Sequence, residues 1–123
     1  MIIMAFPGTY NINYYQGDLY EFNIYPKDST GATFNLSGYS TKFIISTTRP
    51  AGSTTFEGLA TISNNAVLCQ IPGGIGKTLI PGTTYQYDVQ VKKPGTDGGP
   101  DKIYTLLSGQ ITVTADVTRM SGD

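Results

Sequence analysis

The sequence predicts an all-β fold, an immunoglobulin-like antiparallel β-sandwich of about seven to eight strands. Three observations predict it. Apolar residues recur at every second position in short runs, and no window holds the i, i+3, i+4, i+7 spacing of an amphipathic helix. Turn residues, mostly Gly, Pro and Asn, separate those runs at intervals of about 8–12 residues, the rhythm of a sandwich. Polarity comes from hydroxyl and amide side chains: 17 of the 123 residues are threonine and only 14% are charged. Strands tolerate that palette better than helical surfaces do. The length suits one domain able to bury a core without staples. Residues 1–8 read as an extended amino-terminal arm, 9–118 as the sandwich and 119–123 as a fraying tail.

The first strand spans Tyr10–Tyr15 and ends at the tight turn Gln16-Gly17-Asp18. From Leu19 to Tyr25 the alternation is clean: Tyr20, Phe22 and Ile24 share one face, Glu21 and Asn23 the other. Pro26 and the run Lys27-Asp28-Ser29-Thr30-Gly31 are expected to end that strand. Phe34 and Leu36 lead to a turn at Ser37-Gly38. Thr41–Thr47 then reads as an inner strand, since Phe43, Ile44 and Ile45 in succession imply burial on both faces. After a loop at Arg49–Ser53, Thr54–Ile62 reads as one weaker strand with Gly58 marking a bulge.

Ser63-Asn64-Asn65 is a hairpin turn, because asparagine tolerates the left-handed conformation that short reverse turns require. Ala66–Ile71 follows, with Val67, Cys69 and Ile71 on one face. Pro72–Gly82 is the least strand-like stretch, and Lys77–Ile80 is expected to make one helical turn stopped by Pro81-Gly82. Tyr85, Tyr87, Val89 and Val91 form the longest alternation, opposite Gln86, Asp88, Gln90 and Lys92. The Gly-rich loop Pro94–Pro100 is expected to be the most mobile part. Ile103–Leu107 and Gln110–Ala115 complete the sheet, with Ser108-Gly109 as a kink between them.

Composition narrows function sharply. There is no histidine, no tryptophan and one cysteine. Without histidine no Ser-His-Asp triad, Cys-His dyad or imidazole metal ligand is possible, so the chain is not expected to be an enzyme and needs no cofactor. Cys69 alternates inward with Val67 and Ile71, so it reads as a small buried apolar residue. The net charge is −1 and the basic residues are scattered, which argues against nucleic acid and anionic membranes as partners. Met1–Pro7 lacks the basic start and apolar length of a signal peptide, and no run approaches a membrane span. Folding in the cytoplasm is therefore expected.

Three motifs invite chemistry and have plainer readings. Gly73-Gly74-Ile75-Gly76-Lys77-Thr78 hints at a phosphate loop, but Ile71 stands where the first glycine belongs and no long helix follows. Asp97 and Asp101 flank a Gly-rich turn and offer too few oxygens for a hard cation, so no metal is expected. Asn35-Leu36-Ser37 fits the glycosylation sequon, which says little without a secretion signal. The nine tyrosines are more informative. Tyr10, Tyr14 and Tyr15 cannot all point inward, and Ile2, Ile3, Met4 and Phe6 have no obvious place in the core. These seven residues are expected to form an interface with a partner protein. Exposed tyrosines on a hydroxyl-rich surface also suit a carbohydrate-binding adhesion module, the alternative of another class.

Two stretches carry a family resemblance. Gln16-Gly17-Asp18-Leu19-Tyr20-Glu21-Phe22-Asn23-Ile24-Tyr25, followed by Asp28-Ser29-Thr30-Gly31 and Asn35-Leu36-Ser37-Gly38-Tyr39, resembles the opening of small immunoglobulin-like virion proteins of tailed bacteriophages. Leu79–Val91 and Leu107–Thr118, with Tyr85-Gln86-Tyr87-Asp88-Val89 and Gly109-Gln110-Ile111-Thr112-Val113, resemble their closing pair of strands. The resemblance runs from about Thr9 to Thr118. It extends to the amino-terminal domain of baseplate upper proteins and to stand-alone structural proteins of cyanophage-like phages. It implies a multi-copy virion structural protein whose partners are the major capsid protein or tail proteins. The single domain favours a decoration or cement protein of the head over a tail or baseplate accessory. A host surface glycan is a further, less favoured partner.

Overall fold

The computed structural model describes residues 8–28, 30–47, 55–96 and 98–115 in full, and the backbone of residues 2–5. In chain order the strands are β1 (Ile2–Ala5), β2 (Gly8–Thr9), β3 (Ile12–Tyr15), β4 (Tyr20–Lys27), β5 (Ser40–Ser46), β6 (Thr55–Glu57), β7 (Leu59–Ser63) and β8 (Ala66–Ile71). A single helical turn, α1 (Gly73–Gly76), precedes β9 (Thr84–Lys93) and β10 (Lys102–Thr114). One sheet runs β1-β4-β8-β7. The other runs β10-β9-β5-β6, with β2 and β3 both on the free side of β10. The order β4-β8-β7 against β10-β9-β5, extended by β6, is that of an immunoglobulin sandwich. The pairs within this body are antiparallel, while β1 on β4 and β2 and β3 on β10 are parallel.

Alternation fills the space between the layers. Phe22 and Ile24 of β4, Val67, Cys69 and Ile71 of β8, and Tyr85, Tyr87, Val89 and Val91 of β9 all point inward and are buried. Phe22, Phe43 and Tyr87 meet edge to face, with centroids 5.6–6.4 Å apart, the geometry that ring quadrupoles favour. Phe43 and Ile45 are buried, while Ile44 on the opposite face of β5 is half-buried.

The departures from expectation have local causes. β4 continues through Pro26 to Lys27, because its ladder with β8 ends at Ile24 and the proline removes no donor from that pairing. Thr54–Ile62 is not one strand. Gly58 is the crossing point at which the chain leaves β6 in one sheet and enters β7 in the other. The Gly58 N–H donates to the Phe43 carbonyl at 2.9 Å, and a Cβ there would lie 2.5 Å from the Phe43 ring. The helical turn lies at Gly73–Gly76, ahead of Lys77–Ile80, because Gly76 must pass beneath the Tyr14 ring with no side chain of its own. β10 is unbroken at Ser108-Gly109. Its irregularity falls between Thr105 and Leu107, where the extra residue, Leu106, lets two successive leucines be buried.

At the amino terminus the first strand is split into β2 and β3 and starts at Gly8, and residues 2–5 form an edge strand on the protein's own sheet. The expected loop at 49–53 and the tail at 119–123 lie outside the described residues, as do Phe6 and Asp97.

Candidate interaction surface

Two connections meet at one end of the sandwich, 28–39 between β4 and β5 and 94–101 between β9 and β10. Asp28 builds the first. Its carboxylate accepts bonds from the Thr30 hydroxyl (2.6 Å), the Thr30 N–H (2.9 Å) and the Ala32 N–H (3.1 Å). These bonds, the Thr30 hydroxyl foremost, hold its carboxyl below the usual range. The Phe34 N–H donates to the Pro26 carbonyl at 3.0 Å, which sets Phe34 against Tyr39 and Tyr104. Their three centroids are 5.7, 5.8 and 6.2 Å apart. Burial, then Tyr104, raises the Tyr39 hydroxyl above its ordinary pKa.

In the second loop, Asp101 accepts the Gly95 N–H at 2.9 Å and sits 3.4 Å from the Lys92 ammonium. The Gly95 bond, then Lys92, lowers its carboxyl. Lys93 lies over the Tyr39 ring at 5.8 Å, a cation–π contact. Lys93 also lines a depression of about 250 Å³, together with Pro94, Gly95, Thr96, Gly99, Pro100 and Lys102. Around the corner, on the outer face of β5, β9 and β10, a depression of about 230 Å³ lies among Lys42, Gln90, Lys92 and Ile103. Ile103 is 55% exposed there.

The expected amino-terminal interface is only partly assembled. Tyr14 is a correction: it is 1% exposed, a core residue whose hydroxyl donates to the Asp18 carbonyl. β3 points it inward between Asn13 and Tyr15, which face out. Tyr10 is half-buried against Phe22, its hydroxyl 2.9 Å from that of Tyr20. Tyr15 is 54% exposed. The side chains of Ile2, Ile3, Met4 and Phe6 lie outside the described residues. Sequence reasoning singled out Lys92, Lys93 and Lys102 as the nearest thing to a basic cluster, and missed Tyr39, Ile103 and Tyr104 as surface residues. Counting back from the Gly-rich hairpin loop would have set Lys93 opposite Lys102.

Other motifs resolve into structure. Gly73–Gly76 forms a helical turn in which a Cβ at Gly76 would meet Tyr14 and one at Gly73 the Gly17 carbonyl. Cys69 is buried, and desolvation pushes its thiol up to about 12. Among the described residues no three metal-ligating side chains cluster, and no helix is long and apolar enough to cross a membrane.

The sheet edges differ in chemistry. Beyond β7 no further strand lies among the described residues. Its sequence, Leu59-Ala60-Thr61-Ile62-Ser63, holds no charge and no proline. Ala60 and Ile62 pack toward the core, while Leu59 is 51% exposed. Natural edges are usually blunted by lysine, proline or a bulge, and this one is not. No family model matches the chain, and no curated protein is significantly similar to it.

Proposed function

We propose that this protein is a non-enzymatic structural protein of a bacteriophage particle, a small decoration or cement protein that docks on a repeated site, the head rather than the tail. The observation that carries the docking mechanism is the uncharged β7 edge, beyond which no strand lies among the described residues. Its row of backbone donors and acceptors is a template on which a neighbour's extended segment adds a strand, with main-chain bonds supplying affinity and Leu59 apolar contact. The phage assignment rests on the resemblance carried by Gly17-Asp18 through Ile24 and by Tyr85 through Val89. With β1 paired to β4, residues 2–5 extend the first sheet and offer a second edge on its opposite side.

The test is stoichiometric. Purified particles should contain the protein at a fixed, multi-copy ratio to the major capsid protein that survives washing in high salt. Its absence from washed particles would overturn the proposal.

A further inference from the structure

We propose a second site, independent of particle docking: the loop end carrying Phe34, Tyr39 and Tyr104 binds an acidic saccharide, a pyranose ring bearing a carboxylate. Lys93 and Lys102 stand directly opposite one another in the β9–β10 ladder and line the same depression. Like charges directly opposite across strands destabilise a sheet. Among the described residues the nearby carboxylate, Asp101, is engaged by Lys92 and the Gly95 N–H, and Lys93 meets only the Tyr39 ring, so the opposed pair suits an anion from outside. Tyr104 is 36% exposed beside that pair, and an apolar ring face with a polar rim is what a sugar stacks on. The hydroxyl of Thr96, which lines the same depression, suits a polyhydroxylated ligand.

Size and charge choose among anions. A cavity of about 250 Å³ falls just short of the roughly 300–1,000 Å³ of drug-sized sites, which fits one ring. The two lysines that line it match a single carboxylate.

The experiment titrates the whole protein at low salt with galacturonate, its methyl ester and inorganic phosphate, following backbone amide resonances. The acid should shift Lys93, Lys102 and Tyr104, and its affinity should fall at least tenfold in Lys102→Gln and in Tyr104→Ala. The ester and phosphate should bind at least tenfold more weakly. Lys102→Gln should also melt at a higher temperature than the parent without ligand, which shows that it folds and that the lysine pair repels. No shift with the acid, equal binding of the ester, equal binding of phosphate, or an unchanged affinity in both variants would each overturn the proposal.

Discussion

Single positions decide where this chain turns and how its core tolerates charge. Gly58 and Gly76 have no room for a side chain, one against the Phe43 ring and the other against the Tyr14 hydroxyl. Gly58→Ala and Gly76→Ala should each destabilise the fold by about 1–3 kcal/mol, the usual cost of overpacking, measured by denaturant unfolding. A variant as stable as the parent would mean that the ring moves aside freely. Alkaline pH probes the buried thiol and hydroxyls. Burial raises Cys69 from 9.0 to about 12, and burial with the Tyr10 contact raises Tyr20 from 10.0 to about 12. Burial first, then neighbouring groups, also pushes Tyr87 well above its ordinary value. In the folded chain these groups stay neutral while the unfolded chain ionises, so stability is intact below pH 9 and is lost as pH rises from 9 toward 12. Cys69→Ala should postpone the onset to about pH 10, where tyrosine ionises, as seen in unfolding free energy against pH. An unchanged onset would contradict the role of the thiol.

Elements were legible where alternation and turn chemistry agree. β4, β8 and β9 follow the sequence pattern face by face, and Asn64 and Asn65 adopt φ of 52° and 59° in the β7–β8 hairpin. The elements that were misread are those set by contacts remote in sequence. The Gly58 crossover depends on Phe43, and α1 depends on Tyr14. The β10 bulge depends on registering thirteen residues against β9. Local preference and tertiary context also pull apart at Asn65. Asn-Gly is the favoured pair in a two-residue hairpin, yet the Asn65 carboxamide oxygen accepts the Leu36 N–H at 3.0 Å and ties the β4–β5 connection to this turn. Asn65→Gly should therefore destabilise by about 1 kcal/mol, since it leaves that donor unpaired. A gain in thermal midpoint would show that turn preference wins.

At the scale of the molecule, the fold was legible and the surface was not. Burial follows from apolar spacing. An interaction surface depends on which strands finish at the edges and which loops converge, and that is decided by topology. The seven residues expected to form an interface show the difference: Tyr14 is in the core and Tyr10 is half-buried, while the exposed Leu59, Ile103 and Tyr104 lie on strands whose alternation did not say which side chains would stay exposed. Docking through β7 gives the most direct measurement of the account. Thr61→Lys places a charge at an exposed position in the middle of that edge, a change that native sheets use to repel strand addition. Its folding stability should match the parent within about 0.5 kcal/mol, as exposed substitutions do. Its copy number on assembled particles should fall at least tenfold. A variant that folds and still fills the particle at the parental copy number would contradict docking through that edge.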